Sequence, residues 1–260
     1  MISEDKLLLF SKKIIKIIST KTEKYKKNIN FKSKKDFQID PVTKFDISME
    51  ILIRKFIKSN FRKHNIVGEE LKNEYNNSDF TWYIDPIDGT KSMILSLPTW
   101  SNLIGLYYKK KCIFSFANFP LMGKTYIGFL KKTILYQNKE LKKIKSNKKI
   151  YPKNMKLAIN TLHSIKNKRI RDYIFNYKGF FKVTGSDAYN CCSIAEGKLD
   201  ALIESGLKQV DILPIIKIVE SSGAIITNWN GKKEYSDGRV LVTANKNIHN
   251  YLIKKINSKF

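Results

Sequence analysis

The sequence predicts a layered fold of the α/β (α+β) class, and three observations predict it. Apolar residues recur at helical spacing in some segments and at strand spacing in others. The two kinds of element come mixed in two consecutive blocks, 1–150 and 151–260. Hydrophobic residues make up 42% of the 260, enough for a core of substantial size.

The elements follow in order. Residues 4–28 read as an amphipathic helix, with Leu7, Leu8, Ile14, Ile15 and Ile18 at helical spacing and lysines between them. The polar stretch 31–39 reads as a hairpin or loop, and Asp40-Pro41-Val42-Thr43 leads into a second helix over 44–60. Ile47, Ile51, Leu52 and Phe56 are expected to line its apolar face. Residues 72–79 are a polar loop, and Thr81–Ile84 a short buried strand. Residues 103–108 with 112–118, and 124–130 with 133–137, read as two antiparallel pairs. The lysine-rich stretch 138–154 reads as a boundary. Beyond it the pattern gives strands near 156–159, 181–183, 200–204, 224–228 and 240–243. Helices are expected over 165–176, 188–196, from Asp211 to 221, and from about 246.

Composition narrows the classes. The chain carries 49 Lys+Arg against 23 Asp+Glu, a formal charge of +26. Such a charge suits an anionic partner, but the lysines are scattered, and together with the many Ile and Asn they match AT-rich codon usage. No RNA-recognition motif or aromatic-basic stripe is visible, so a nucleic-acid partner is not expected. Cys112, Cys191 and Cys192 form no even framework, which fits a reducing, cytoplasmic setting with these residues as small core side chains. No segment reaches the ~18 apolar residues of a membrane span, so no membrane partner is expected.

Four acidic groups stand at the edges of apolar elements: Gly68-Glu69-Glu70, Asp85 to Thr90, Asp211, and Asp40 with Asp46 and Glu50. Taken alone, Glu69-Glu70 would be a solvated pair, Asp211 a helix cap and Asp40-Pro41 a turn. The Asp85–Thr90 hexapeptide is harder to dismiss. Pro86 fixes a turn, so Asp85 and Asp88 can converge on one point with the Ile87 carbonyl between them. Gly89 allows close backbone approach, and the Gly89 and Thr90 N–H groups open the next element, a seat for phosphate. Hard oxygen donors of this kind suit Mg²⁺ and a phosphate substrate.

The segment Trp82-Tyr83-Ile84-Asp85-Pro86-Ile87-Asp88-Gly89-Thr90 resembles the first signature of the inositol monophosphatase superfamily. Gly68-Glu69-Glu70, Asp40-Pro41-Val42-Thr43-Lys44-Phe45-Asp46 and Val210-Asp211-Ile212-Leu213-Pro214 resemble its other motifs, in the family's order and across nearly the whole chain. Val210 stands where the family usually has Trp. The resemblance implies a five-layer α-β-α-β-α sandwich, commonly a homodimer. Glu69, Glu70, Asp85, the Ile87 carbonyl, Asp88 and Asp211 would bind metal, most of them in the 1–150 subdomain and Asp211 in the 151–260 subdomain. Thr90 and Asp46 would orient and deprotonate the attacking water, Glu69 would stand beside the ion that activates it, and Lys35 would lie in an N-terminal loop. The implied chemistry is Mg²⁺-dependent hydrolysis of a small phosphate monoester without a phospho-enzyme.

Gly185-Ser186-Asp187-Ala188-Tyr189 resembles the histidinol-phosphatase branch of that superfamily, as do Lys91-Ser92 and Leu97-Pro98-Thr99. Ser186, Asp187 and Glu204 are therefore the candidate substrate contacts, with the two carboxylates facing the ammonium of L-histidinol phosphate. Asp187 as a simple helix cap is the plainer reading. The alternatives are an inositol-1-phosphate or broad sugar or nucleotide monophosphatase and, in another class, a nucleic-acid or transcription-machinery binder of the same fold.

Overall fold

Two helices, α1 (Glu4–Asn28) and α2 (Lys44–Asn60), form the first layer of the computed structural model, which describes residues 2–28 and 44–258. Leu7, Phe10, Ile14 and Ile18 of α1 and Phe45, Met49, Ile53 and Ile57 of α2 are buried in one apolar cluster. Full burial of such a side chain contributes about 1.5–3 kcal/mol. The buried face of α2 is only in part the one its apolar pattern suggested: Leu52 and Phe56 pack against this cluster, but Ile47 and Ile51 are 38% and 52% exposed. The true face also carries Asp46, Glu50 and Arg54, and those buried charges disguise it in a hydrophobicity pattern.

Behind these helices lies a seven-stranded sheet in chain order. Its strands are β1 (Asn65–Gly68), β2 (Phe80–Asp88), β3 (Ser101–Tyr108), β4 (Lys111–Phe119), β5 (Lys124–Gly128), β6 (Thr133–Gln137) and β7 (Glu140–Ile144). Only β1 and β2 pair in parallel. Alternate residues go to opposite faces: Ile104, Leu106, Phe114 and Phe116 join the α1–α2 cluster, while Leu103, Tyr107, Ala117 and Phe119 join the next core. The supposed boundary at 138–154 contains β7, an edge strand whose Lys142 and Lys143 are exposed. Lysines on an edge discourage pairing with other chains, and they also hide the strand from a hydrophobic pattern.

A short helix, α3 (Thr90–Ile94), follows β2. The second half supplies β8 (Leu157–Ile159), α4 (Lys168–Phe175), β9 (Phe181–Val183), α5 (Asp187–Ala195), β10 (Ala201–Glu204), α6 (Gln209–Ile212), α7 (Ile216–Ser222), β11 (Ile225–Thr227), β12 (Val240–Thr243) and α8 (Lys246–Asn257). The single helix expected from Asp211 to 221 is broken instead by a 3-10 turn at Leu213–Ile215, where Pro214 cannot continue the α-helical bonding. The second sheet runs β11-β12-β10-β8-β9, with β8 parallel to both β10 and β9. Helices α5 and α7 pack between the sheets, and α4 and α8 cover the outer face of the second. The result is a five-layer α-β-α-β-α sandwich. Cys112, Cys191 and Cys192 are buried in it as free thiols. Among the described residues no helix is long and apolar enough to cross a membrane.

Candidate active site and metal centre

The parallel strands of both sheets end at one cavity of about 550 Å³. In the first sheet, β1 runs out at Gly68 into Glu69, and its parallel neighbour β2 ends at Asp85 to Asp88. In the second, Asn160 follows β8, Gly185 follows β9, and Glu204 is the last residue of β10. The carboxyl ends of parallel strands are where open sheets place ligands.

Glu69, Asp85 and Asp211 each bring a carboxylate oxygen within 4.8 Å of the others. Different elements deliver each one. The strand of large apolar residues Trp82 and Ile84 is buried, which carries Asp85 inside, 2% exposed. The turn expected at Pro86 is instead a bulge within β2, between Asp85 and Asp88, fixed by the Ile87 N–H donating to Asp85 Oδ1 at 2.9 Å and by Asn102 Nδ2 donating to the Pro86 carbonyl at 2.7 Å. Asp211 is the third residue of α6, and its Oδ2 accepts from the Lys208 N–H at 2.7 Å. Glu69 is placed from behind: Glu50 Oε2 accepts from the Glu70 N–H at 2.7 Å, and Arg54 Nε donates to Glu50 Oε1 at 2.7 Å. A β-carbon at Gly68 would collide with the Glu50 carboxylate and the Arg54 guanidinium, so only glycine fits there.

Asp88 also lines the cavity, but lies outside that trio. Its Oδ2 accepts from Ser101 Oγ and from Ser186 Oγ, each at 3.1 Å. Gly89 holds a φ of 81°, which favours glycine, and it starts α3. Thr90, next in the chain, donates its hydroxyl to Asp46 Oδ1 at 3.0 Å or to the Ile87 carbonyl at 3.2 Å. Asp46 is 1% exposed on α2. Glu70 does not line the cavity. Lys35 and Asp40 lie outside the described residues.

The electrostatics are those of acids crowded without enough counter-charge. Burial raises Asp85 well above the usual carboxylate range, and Glu69, Asp211 and Asp88 push it further. Burial first, and Glu69 and Asp88 second, push Asp211 up to about 7. Asp88 rises to about 6 through burial, moderated by its two serine donors. Glu70 rises to about 7 through burial and the neighbouring charges of Glu69, Asp46 and Glu50. Carboxylates in this position gain most from a hard divalent cation, and the all-oxygen donor set suits one.

The far wall holds the candidate substrate contacts. Ser186 caps α5, accepting from the Tyr189 N–H at 3.2 Å, and it is 1% exposed behind the cavity lining. Asp187 therefore is not the cap. Its Oδ2 accepts from Asn160 Nδ2 at 2.6 Å, while Oδ1 is buried without a hydrogen-bond partner among the described residues. Glu204 is fully buried and accepts from the Asn160 N–H at 2.7 Å, the Ser205 N–H at 3.0 Å and the Ser164 hydroxyl. Burial raises both acids, and for Asp187 the charge of Glu204 adds to it.

Among the cavity residues not singled out from the sequence, three bond the acids directly. Lys208 donates from Nζ to Glu69 Oε1 at 2.8 Å, and its place one turn before Asp211 was the available signal. Asn160 and Ser164 bond the acidic wall, and nothing in their local sequence marks them.

Residues 5–259 match the profile of the Inositol monophosphatase family. The Arabidopsis thaliana protein "Bifunctional phosphatase IMPL2, chloroplastic" is 31% identical over 215 residues, covering 80% of this chain and 60% of that protein, so this chain spans under two thirds of its length. The Aquifex aeolicus "Fructose-1,6-bisphosphatase/inositol-1-monophosphatase" is 29% identical, covering 88% of this chain and 85% of its own. The Chlorobaculum parvum "Histidinol-phosphatase" is 27% identical over 83% of each. Among solved structures, a staphylococcal IMPase-I complexed with products superposes with a TM-score of 0.85 at 17% identity, over 99% of this chain and 97% of its own. With its profile matched almost end to end and its acidic cavity formed where the parallel strands of both sheets end, this chain belongs to the inositol monophosphatase family, a family of metal-dependent phosphatases.

Proposed function

We propose that this protein is a Mg²⁺-dependent phosphomonoesterase acting on L-histidinol phosphate. Glu69, Asp85 and Asp211, with Asp88 and the Ile87 carbonyl contributing, would hold the metal, whereas Glu70 lies off the cavity lining. Bound there, Mg²⁺ supplies charge neutralisation for the phosphate and acidity for the attacking water. The chain's own residues do the rest. Gly89 and Thr90 seat the phosphate at the start of α3. The Thr90 oxygen takes a proton from the incoming water while its own proton passes to Asp46, 3.0 Å away. Asn102, through the Pro86 carbonyl, keeps the Asp85 bulge rigid while this happens.

The observation that carries the substrate is Asp187 Oδ1, a buried carboxylate oxygen on the cavity wall with no hydrogen-bond partner among the described residues. A buried carboxylate beside Glu204 is costly unless a cation meets it. The ammonium of a phosphorylated amino alcohol would do so. The second reading, an inositol or sugar phosphatase, is favoured by the similarity to the Aquifex aeolicus fructose-1,6-bisphosphatase/inositol-1-monophosphatase and leaves Asp187 unexplained.

The test is phosphate release from L-histidinol phosphate, myo-inositol 1-phosphate, 3′-phosphoadenosine 5′-phosphate and fructose 1,6-bisphosphate, with Mg²⁺ and with EDTA. The expected result is the largest kcat/KM on histidinol phosphate, abolished by EDTA. A larger kcat/KM on another ester would retire the substrate and keep the chemistry.

A further inference from the structure

The mouth of the cavity carries three apolar side chains for which phosphoryl chemistry has no use. Leu95, Leu97 and Val183 line it and are 69%, 46% and 44% exposed. A single exposed leucine needs no explanation, but three around the mouth of a cavity floored by carboxylates do.

The turn that presents the two leucines is firmly built. The Leu95 and Ser96 N–H groups donate to the Lys91 and Met93 carbonyls at 3.1 and 3.0 Å, and the Leu97 N–H donates to the Ser92 carbonyl at 2.8 Å. Ser96, between them, holds a φ of 57°, a left-handed conformation that a non-glycine residue adopts at a cost. Ser92 Oγ donates to the Gly185 carbonyl at 3.2 Å, which ties this turn to the loop just after Val183. The backbone on the two sides of the rim is thus tied together, and it presents the leucines to water.

A polyol would gain nothing from such a rim, because its hydroxyls would lose hydration against leucine without finding a partner. A flat ring would gain, since its faces are apolar even where its edge carries nitrogen. The cavity, about 550 Å³, has room for a phosphate, a short linker and one such ring.

We propose that Leu95, Leu97 and Val183 form a subsite for a flat, unsaturated ring at the far end of the ester's alcohol, so that the preferred substrates are phosphate monoesters of alcohols bearing such a ring and not of cyclic polyols. This rests on the phosphatase reading above and is independent of the ammonium contact at Asp187. The polar wall reads charge and the rim reads shape, two separate selections on one alcohol.

Four esters separate the two: L-histidinol phosphate (ring and ammonium), 2-aminopropyl phosphate (ammonium alone), 3-(imidazol-4-yl)propyl phosphate (ring alone) and propyl phosphate (neither). Leu97→Ser and, as a second variant, Leu95→Ser change exposed side chains, and a thermal melt checks that each is folded. Each is expected to lower kcat/KM by about tenfold on the two ring esters, the size of a lost apolar contact in a specificity pocket, and by less than about twofold on the other two. An equal loss on all four, or no loss on the ring esters, overturns the subsite. Failure of the ammonium contact looks different: Asp187→Asn would then treat esters with and without ammonium alike, while the rim variants still sort by ring. Wild-type protein that hydrolyses none of the four overturns the phosphatase reading and the subsite with it.

Discussion

Two sets of carboxylates, one fully buried and one only partly, lie on either side of Gly68, and they are treated in opposite ways. Glu50, behind the glycine, is fully buried and well served: Arg54 Nε meets it at 2.7 Å, and the Glu70 and Leu71 N–H groups donate to it at 2.7 and 3.3 Å. Arg54 also reaches Glu74 at 3.1 Å and the Leu71 carbonyl at 3.1 Å. In front of the glycine, Glu69, Asp85 and Asp211 face one another, and the cation beside them is the more-than-half-exposed ammonium of Lys208 on Glu69. The difference separates two uses of a buried acid. One that serves the fold comes with its own cation and donors. One that serves a ligand is left to be completed from outside.

Substitutions should break that contrast cleanly. The largest effect is expected in the front set, where Asp85→Asn and Asp211→Asn should each cut kcat/KM about a thousandfold through lost metal, while the melting temperature in EDTA stays level or rises. The rear set should do the reverse. Arg54→Met strands Glu50 and should cost about 3–5 kcal/mol of stability in urea unfolding, and the fraction that folds should keep measurable turnover. An equal split of activity and stability losses between the sets would refute the distinction.

The far wall sharpens it further. Asp187 resembles the front set, with an oxygen left open, and Glu204 resembles the rear, with every donor in place. Asp187→Asn should raise KM about ten- to a hundredfold on ammonium-bearing esters, the range of a charged hydrogen bond, with little change on esters lacking the ammonium. Glu204→Gln should show up chiefly in the melting temperature.

The smallest effect is the pH dependence. Asp88, Asp211 and Glu70 sit near 6, 7 and 7 in the fold, above their ordinary values. A carboxyl raised by folding stabilises the fold at pH below its unfolded value, and that contribution is lost as pH climbs through the folded value. In EDTA the melting temperature should therefore fall between about pH 4 and pH 7. Saturating Mg²⁺ should flatten or invert the slope, and a slope unaffected by Mg²⁺ would argue that the acids do not share a cation.

The same contrast explains what could be read without a fold. The Asp85–Thr90 segment was legible because the chain itself places both acids, a proline and a glycine within six residues of a buried strand. The Thr90–Asp46 bond spans 44 residues and was reached only through a resemblance to other proteins. The support set was only half legible: Glu50 stood out as an acid beside an apolar element, but nothing marked Arg54 as its buried partner until α2 turns both inward. They also misdirected the helix, because a face carrying three charges does not look like a buried one. The lysines of β7 hid an edge strand for a similar reason. Sequence patterns report where apolar groups gather, and they fail wherever the fold buries a paired charge or protects an edge with one.

Asp88 has one more consequence. Its Oδ2 takes one hydrogen bond from Ser101, 13 residues on, and one from Ser186, 98 residues on. The carboxylate is therefore fully placed only when both halves of the chain have folded and docked. During refolding, catalytic competence should appear with the slowest step and not before it. A nascent or clipped chain would hold the hexapeptide but not the finished seat, so half-made copies would stay silent in the cell instead of hydrolysing phosphate esters indiscriminately.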